Sequence, residues 1–469
     1  MKEKQFNTMP RLRNQSRGRR ATLQAATPGI IVANTATSFS ASVSKAKSRR
    51  AKIKGANTNK RVPVVFVQDY KPPDKPPMLM QSHQDSLACS ENLPLELYLR
   101  AILRVFSPTS NDQEYARQVL RDMNRALSGL DMHALVFGSW CTGISTPSSD
   151  MDFVAIQQGS RMPPGSGSSA FHNNGSGKYS TSSVLERALF DPVTASTMSR
   201  KERHKRFSGA LRLVGSNLRF SMVFRSIQLI PNAKVPVVKA LHRGGKSVDV
   251  SFLRDGLMSS QFLCEEFKKP QFLLARGIII LVKALVANWM LDDPSVGGLG
   301  SFPISIMVLW FLHEEVAQRY PPEVRKSYAV CLVGFLKYYG LLFDYKHTGI
   351  DYANKRTFVK TPVPELYILN PLNPSANCAA AATLFVSRLV KKFGDTYTLF
   401  SRLLEDTTDA ASLDKAVLEA FDRPLRLSGA QGVQRLQREK QRQLPESETG
   451  YQHRWEADTS LYIGDPLGN

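Results

Sequence analysis

Two aspartates, Asp150 and Asp152, stand two positions apart in the segment FGSWCTGISTPSSDMDFVAI, which covers 137–156. On a β-strand, side chains at i and i+2 point to the same face, so the two carboxylates would lie side by side. Like charges held that close repel each other unless a cation lies between them, and hard divalent ions prefer such oxygens. The pair therefore predicts a metal site of the kind that serves phosphoryl transfer.

Gly138 and Ser139 follow a short apolar run, LVF at 135–137, and precede the aspartates by about ten residues. A glycine allows the turn conformations that other residues avoid, and backbone N–H groups together with a serine hydroxyl are suited to hold a phosphate. We therefore expect Gly138 and Ser139 to contact a nucleotide phosphate.

A third carboxylate, Asp249, stands in a predicted β-hairpin. The apolar run VPVVKA at 235–240 is followed by Gly244 and Gly245 and then by VDVSF at 248–252. Two apolar runs around a Gly-Gly turn are typical of a hairpin. Asp249 alternates with valines, so its side chain is expected on the polar face of its strand.

A Gly-Ser turn, a spacer of about ten residues and S-D-x-D on a strand resemble the signature of the nucleotidyltransferase superfamily of DNA polymerase β type. The hairpin is similar to the family pattern VPIIK…VDISF. The resemblance implies an α+β fold: a polymerase β-type catalytic domain with a mixed sheet and helices, and a mostly helical central poly(A) polymerase-associated domain. It also implies that Asp150, Asp152 and Asp249 bind two divalent ions, Mg2+ or Mn2+, and that Asp249 helps to activate the 3′-hydroxyl of the acceptor.

The second half of the chain carries a related pattern. Residues 277–290, GIIILVKALVANWM, are predicted to form an apolar helix with Lys283 in its middle, followed by GGLGSF at 297–302 and a second apolar helix at 303–312. This resembles the motif that follows a triphosphate-binding lysine in non-canonical poly(A) and poly(U) polymerases. The resemblance implies that Lys283 contacts the β- and γ-phosphates, that Ser301 binds phosphate at a helix N-terminus, and that Phe302 stacks on the incoming base.

The stretch LYILNPLNP at 366–374 resembles the nucleotide-recognition loop of these enzymes. Asn370 stands where an aspartate is common, and Asn373 follows after a short spacer. The resemblance implies that both residues help to bind the nucleotide. A Pro- and Asn-rich segment is equally typical of an ordinary turn, and the departure at Asn370 leaves the choice between ATP and UTP open.

Composition sets broad limits on the fold. The chain has 469 residues, 42% of them hydrophobic, which is enough for two or three domains with their own cores. Lys283 interrupts the longest apolar run, so we expect no transmembrane helix and no membrane partner. The five cysteines form no CxxC pair, which argues against a zinc site or a disulfide scaffold.

The net charge of +22 is concentrated near the N-terminus, where residues 1–62 hold fifteen Lys or Arg and a single acid, Glu3. We expect this arm to be disordered, because it is polar and highly charged. A nuclear or nucleolar address, an RNA-tethering tail and a mitochondrial transit peptide are all compatible with it. Pro10 and Gly18 interrupt an amphipathic helix there, so we favour the nucleus, with the mitochondrion as the alternative.

The predicted division of the chain starts with a disordered basic arm and Pro-rich linker (1–88) and a helix of the central domain (89–110). A catalytic domain (111–258), the central helical domain (259–426) and a polar, loose C-terminal tail (427–469) follow, with a short helix expected around 434–442 in the tail. Amphipathic helices are expected at 93–105 and 113–127, and a flexible insert at 159–183. The basic cluster RKERHKR at 200–206 either contacts RNA or is a solvated helix face; its candidate RNA-binding residues are Arg200, Lys201, Arg203, Lys205 and Arg206.

The resemblance implies an enzyme that adds AMP from ATP to RNA 3′ ends without a template. The resemblance is strongest to the nuclear poly(A) polymerases of TRAMP-type RNA surveillance complexes, which implies a helicase and a zinc-knuckle protein as partners. Two alternatives stay open: a terminal uridylyltransferase that uses UTP, and an inactive homologue that serves as an RNA-binding scaffold. The three retained aspartates argue against the scaffold.

Overall fold

The computed structural model describes residues 93–157, 198–322, 324–405, 409–428 and 432–441. The basic arm at 1–88 and the insert at 159–183 lie outside these residues. Within them, a five-stranded sheet with two covering helices adjoins a larger group of helices.

The residues at their N-termini explain where the first two helices begin. Helix α1, Pro94–Phe106, starts with proline, whose missing N–H costs nothing at a helix start. Helix α2, Ser110–Leu127, starts with a reciprocal capping box in which the backbone and side chain of Thr109 and Asp112 bond to each other. These are the two amphipathic helices that the apolar periodicity predicts.

One mixed sheet positions the aspartates. Its strand order is β1-β2-β5-β4-β3, and β2 and β5 are its parallel pair while the other neighbours are antiparallel. The strands are β1 Met132–Phe137, β2 Met151–Gln157, β3 Phe224–Ile230, β4 Val237–His242 and β5 Ser247–Ser251. The short helix α3, Ser139–Thr142, follows β1 directly.

Two helices cover one face of this sheet. Helix α4, Arg200–Phe220, is capped by Ser199 and packs with α2 over the strands. The apolar residues of both helices and of alternate strand positions form one buried core, which includes Met123, Phe207, Val238 and Val250. Because strand side chains alternate between faces, the residues between these apolar positions point to the uncovered side.

The remaining helices form a second core. They are α5 Asp255–Phe267, α6 Ala275–Asn288, α7 Ser301–Phe311, α8 Tyr328–Lys337, α9 Val386–Glu405, α10 Ala410–Leu427 and α11 Gly432–Gln441. Helix α1 packs within this group and contributes Leu95, Leu99 and Phe106 to its core. The helical stretch Pro270–Asn288 is long and apolar enough to cross a membrane, and 78% of that stretch is buried inside the fold, as is typical of a core helix.

Three features depart from the expectations. Strand β3 has no clear alternating pattern and is not predicted by the sequence. The mostly helical region also holds two small hairpins: β6 Thr348–Asp351 with β7 Arg356–Val359, and β8 Leu369–Asn370 with β9 Asn373–Asn377. Helix α11 is the short helix expected within the C-terminal tail, but instead of lying loose it packs on α1, where Leu436 is buried and Glu439 Oε2 lies 3.0 Å from Arg104 Nε.

Glu96 joins α1 to α8 inside the helical core. Its side chain is fully buried, and Oε2 accepts hydrogen bonds from Ser327 Oγ at 2.9 Å and from the N–H of Ala329 at 2.7 Å. Arg100 Nε donates to Oε1 at 2.7 Å. Glu96 thus places a carboxylate at the N-terminus of α8, where exposed N–H groups and the helix dipole favour negative charge.

Replacing this carboxylate tests how much the junction stabilises the fold. We expect Glu96→Ala to lower the free energy of unfolding by about 3–5 kcal/mol, because it removes the buried carboxylate that pairs with Arg100 and leaves the Ser327 hydroxyl and the Ala329 N–H without this acceptor. Glu96→Gln keeps one acceptor oxygen and should lose less. Urea denaturation measures both, with Glu114→Ala on the exposed face of α2 as the control expected to change little. Equal losses in Glu96→Ala and the control would remove Glu96 from this role.

Candidate active site

The register of the sheet brings the three predicted aspartates together. Asp152 on β2 lies directly opposite Asp249 on the parallel strand β5, and Asp150 precedes β2 by one residue. Asp249 in turn lies opposite Lys239 on β4. Since directly paired residues share a face, these side chains occupy the side of the sheet that α2 and α4 leave uncovered.

Lys239 supplies the positive charge within this acidic group. Its Nζ lies 2.7 Å from Asp249 Oδ2 and 3.8 Å from Asp150 Oδ2. Although burial opposes it, the hydrogen bond and charge of Asp249, together with Asp150, raise the pKa of Lys239. Lys239 is therefore the counter-ion of the carboxylates in this state.

Burial and like charges disfavour ionisation of the inner carboxylates. Burial, then the charges of Asp249 and Asp150, raise the pKa of Asp152 to about 7, while Lys283 and Lys239 act in the opposite direction. Burial likewise raises the pKa of Asp249. Carboxylates in this condition gain most from an additional cation, because a cation removes both the repulsion and part of the desolvation cost.

The chemistry of these residues fits hard divalent cations. The donors are carboxylate oxygens, and Asp249 Oδ1 is buried without a hydrogen-bond partner. Across the described parts of the chain, no three His, Cys, Asp or Glu side chains converge as a preformed metal site. At the aspartates, the ammonium of Lys239 lies where a cation would balance Asp249 and Asp150, so the group is arranged around a cation.

Gly138 is required by the close approach of Asp152. Its φ of +75° lies in the left-handed region, and a Cβ at this position would lie 2.3 Å from Asp152 Oδ2. Its N–H donates to Ser260 Oγ at 2.8 Å, so this donor is already engaged. Ser139 opens α3, and among the described residues its hydroxyl has no hydrogen-bond partner.

Lys283 lies beside the aspartates, and the phosphate contact that the resemblance implies stays a prediction. Its Nζ donates to the carbonyl of Ile144 at 2.7 Å, and the side chain is buried. Burial lowers the pKa of Lys283 to about 8, against the charges of Asp152 and Asp292. Here Lys283 links α6 to the loop that leads to Asp150, and its charge reaches the active site through Asp152.

Ser301 and Phe302 stand at the start of α7, as predicted. Ser301 is exposed, and Phe302 packs partly against the helical core. The preceding GGLG segment folds back tightly: Gly297 has a φ of +99°, and a Cβ at Gly298 would lie 2.5 Å from the carbonyl of Leu291. The glycines thus present the N-terminus of α7 in an exposed position.

Asn370 and Asn373 lie at the turn between β8 and β9, directly opposite each other. Their side chains make local bonds: Asn370 Oδ1 accepts from the N–H of Leu372 at 3.0 Å, and Asn373 Oδ1 accepts from Ser375 Oγ at 2.7 Å. The ordinary-turn interpretation therefore accounts for their contacts, and a nucleotide role stays a prediction.

The predicted basic cluster lies on the first two turns of α4. Arg200, Lys201 and Lys205 are exposed there. Arg203 instead donates to backbone carbonyls at positions 198 and 233, which holds the loop before β4. Arg206 lies against a neighbouring aromatic ring. Only part of this cluster is thus available to a ligand.

Two functional contacts were missed by sequence reasoning. Lys239 was visible as the lysine of VPVVK, yet its pairing with Asp249 depends on the strand register. Lys246 Nζ donates to the carbonyl of Ser149 at 3.3 Å and lies 4.8 Å from the centre of the Trp140 ring. Trp140 Nε1 contacts the same carbonyl at 3.4 Å. These contacts hold the residue immediately before Asp150.

Two protein families match separate parts of the chain. Residues 95–264 match the central palm domain described as "Poly(A) RNA polymerase, mitochondrial-like", and residues 327–375 match the "Cid1 family poly A polymerase". The first match contains all three aspartates, and the second contains Asn370 and Asn373. The chain therefore has a poly(A) polymerase-like palm and a Cid1-type associated domain.

Individual poly(A) RNA polymerases are also similar to this chain. Poly(A) RNA polymerase protein 2 of Saccharomyces cerevisiae is 24% identical over 370 residues, which are 74% of this chain and 54% of the yeast protein. A Drosophila melanogaster relative named "Inactive non-canonical poly(A) RNA polymerase protein Trf4-2" is 22% identical over 194 residues, covering 38% of this chain and 47% of that protein. The chain spans about half the length of these two curated relatives.

The fold is likewise that of known polymerases. A solved structure described as "Structure and function of the polymerase core of TRAMP, a RNA surveillance complex" superposes with a TM-score of 0.50 at 19% identity, and covers 76% of this chain and 97% of that one. The polymerase β-type nucleotidyltransferase fold expected from the aspartate motif is thus confirmed.

The counter-ion role of Lys239 has a measurable consequence. Lys239→Met should lower the stability of the protein in EDTA by up to about 1 kcal/mol, the usual range for a partly exposed ion pair. The same substitution should enlarge the rise in melting temperature on adding Mg2+ or Mn2+, because the ion no longer competes with an ammonium.

Thermal unfolding with and without each ion measures both effects. Lys415→Met, at an exposed position on α10, is the matched control that removes the same charge away from the aspartates. A variant whose ion-induced shift equals that of the control would exclude Lys239 as a competitor of the metal.

Proposed function

We propose that this chain, a member of the non-canonical poly(A) polymerase and terminal nucleotidyltransferase family, adds AMP from ATP to the 3′ ends of RNA without a template. The observation that carries the proposal is that Asp152 and Asp249 lie opposite each other on adjacent parallel strands, with Asp150 immediately before the first of them, on the side of the sheet away from α2 and α4. Related family members share this chemistry, and one relative named inactive makes the state of the aspartates the decisive point. All three are present here.

The transfer step assigns a task to each carboxylate. The oxygen of the RNA 3′-hydroxyl forms a bond to the α-phosphorus of ATP, the bond between the α- and β-phosphates breaks, and pyrophosphate leaves. Asp249, whose Oδ1 is buried without a hydrogen-bond partner, would accept the hydroxyl proton. Asp150 and Asp152, with Asp249, would hold two divalent ions, Mg2+ or Mn2+, which supply electrostatic stabilisation of the attacking and leaving oxygens.

Residues around the aspartates would bind the triphosphate and the base. Ser139 has a free hydroxyl beside Gly138, and Ser301 is exposed at the start of α7, where N–H groups attract phosphate. Phe302 next to it offers a ring to the base. Lys283 uses one of its three N–H groups on the carbonyl of Ile144, so it would supply positive charge beside Asp152 and further donors to a phosphate.

The proposed cellular role, partners and location rest on the similarity to the relatives. A TRAMP polymerase core has the same fold, and we infer a role in nuclear RNA surveillance with a helicase and a zinc-knuckle protein as partners. The strongly basic arm at 1–62 supports a nuclear location and non-specific RNA affinity. UTP use is the second candidate, because Asn370 stands where related enzymes commonly have aspartate in the recognition loop.

Primer extension tests the proposal directly. Full-length protein, a 5′-labelled unstructured RNA and Mg2+ or Mn2+ are combined with each nucleotide separately. A ladder with ATP alone supports the adenylyltransferase, and a ladder with UTP alone supports the uridylyltransferase. Failure with every nucleotide, also after addition of candidate partner proteins, would favour the inactive scaffold.

The aspartate pair should be essential for extension. Asp150→Asn with Asp152→Asn is expected to abolish extension while RNA binding is largely retained, because the change removes two metal ligands without altering side-chain volume. Asp131→Asn is the matched control, since Asp131 is exposed in a left-handed turn that asparagine tolerates. Residual extension by the double variant above the level of a no-enzyme reaction would refute the site.

Stacking on Phe302 should appear in the affinity for the nucleotide. Phe302→Leu is expected to raise the KM for ATP by roughly tenfold, in the range for loss of one base–aromatic contact, with a smaller effect on kcat. Phe302→Tyr keeps the ring and should preserve the KM. Steady-state kinetics at saturating RNA measure both, and an unchanged KM in Phe302→Leu would place the base elsewhere.

A further inference from the structure

The uncovered face of the sheet continues from the aspartates towards the free edge at β3. Gln228 on β3 lies opposite Lys239, and Arg225 lies opposite Leu241. Directly opposed residues of antiparallel strands share a face, so Gln228 and Arg225 are on the side that carries Asp249. Both are exposed, and β3 is the last strand of the sheet.

At the β3 edge, where α4 leads into the sheet, lies a group of exposed residues that we name the edge patch: Arg219, Phe220, Met222, Arg225 and Arg243. Phe220, the last residue of α4, is 83% exposed, and Met222, in the turn that follows, is 86% exposed. The N–H of Arg243 donates to the carbonyl of Val223 at 2.8 Å, which fixes Arg243 beside this turn. All three arginines are exposed.

The arginines of the edge patch differ from others in the fold. Among the residues that the structure describes, Arg219, Arg225 and Arg243 form no ion pair, whereas Arg104 and Arg356 each bond a carboxylate at 3.0 Å. Cations without partners around an exposed aromatic ring form the kind of surface that binds single-stranded nucleic acid, with the ring stacking on a base and the cations bonding phosphates.

We propose that the edge patch binds the acceptor RNA upstream of its 3′ end, with Phe220 stacked on a base and the three arginines on phosphates. The inference rests on the proposed function, because an RNA 3′-hydroxyl must lie at Asp249. Arg243 follows Lys239 by four residues, about 13 Å at the usual rise of a strand. The patch therefore holds nucleotides a short distance behind the reacting end.

RNA fits this surface better than an acidic protein does. Both would satisfy the arginines. However, an exposed aromatic ring close in sequence to exposed arginines matches a nucleobase flanked by phosphates, and Arg225 of the patch is on the side of the sheet at which the 3′ end would lie. An acidic peptide offers no flat ring to stack on Phe220.

The other end of α4 provides a matched comparison. Arg200, Lys201 and Lys205 are also exposed, and at 1.5 Å per helical residue they lie about 20 to 30 Å from Arg219 along α4. They are three of the five RNA-binding candidates that the sequence suggests. Removing three positive charges from the edge patch or from the start of α4 changes the net charge equally. A difference in RNA affinity between the two variants therefore depends on where the charges lie.

The test measures RNA binding without catalysis. Full-length protein is titrated into a 5′-fluorescein-labelled unstructured RNA of about 16 nucleotides, the upper end of usual single-strand sites, in EDTA and at several salt concentrations. The patch variant Arg219→Ala/Arg225→Ala/Arg243→Ala is compared with Arg200→Ala/Lys201→Ala/Lys205→Ala. Melting temperatures confirm that each variant is folded.

We expect the patch variant to lose more than about tenfold in affinity and to reduce the slope of log K against log salt by about 2, since each single-strand phosphate contact contributes about 0.7. Phe220→Ala should lose about tenfold, as for one stacked base, with an unchanged slope. The control variant should change both quantities clearly less.

Equal losses of RNA affinity in the patch variant and the control would mean that binding depends only on the net charge of the protein, and the proposal would be wrong. Retained RNA affinity, with loss of binding to a labelled polyglutamate peptide, would assign the patch to an acidic protein and also overturn it. Neither result depends on nucleotide transfer. A chain that extends no RNA but shows the expected binding pattern would refute the proposed activity and leave the RNA surface in place.

Discussion

Mutual repulsion of three carboxylates is the constraint on which the rest of the structure depends. Asp152 and Asp249 lie opposite each other on neighbouring strands, and Asp150 lies one residue before the same edge. Burial adds to the repulsion and raises the pKa of Asp152 to about 7. The fold offsets this with Lys239 from the sheet and Lys283 from the helical part. Each half of the molecule thus contributes one cation to the same group.

The segment between β1 and β2 connects these halves. Its first residue, Gly138, donates to Ser260 on α5, its middle is held by Lys283 through the carbonyl of Ile144, and its end is held by Lys246. The backbone that leads to the aspartates is therefore fixed from two sides. Such support is what a site needs if its carboxylates are to keep one geometry while their charges repel.

Local patterns predicted much of this arrangement. The i, i+2 spacing and the alternation around Asp249 predicted carboxylates on the polar faces of strands; Asp152 and Asp249 lie so, whereas Asp150 lies one residue before β2. The helix start predicted at Ser301 is the first residue of α7. The sequence did not predict β3, because its apolar and polar positions do not alternate over the bulge after Arg225. It also did not predict that Arg203 is occupied by backbone carbonyls, since those bonds join residues up to thirty positions apart.

The sequence by itself determined which residue types are present and on which side of each strand or helix they lie, because these follow from periods of 2 and 3.6 residues. Only the tertiary structure decided which residues those sides contact. The parallel register that sets Asp152 against Asp249, the ion pair of Lys239 and the burial of Lys283 on Ile144 all depend on contacts between distant segments. Periodicity places a side chain on a face, whereas packing selects its partner.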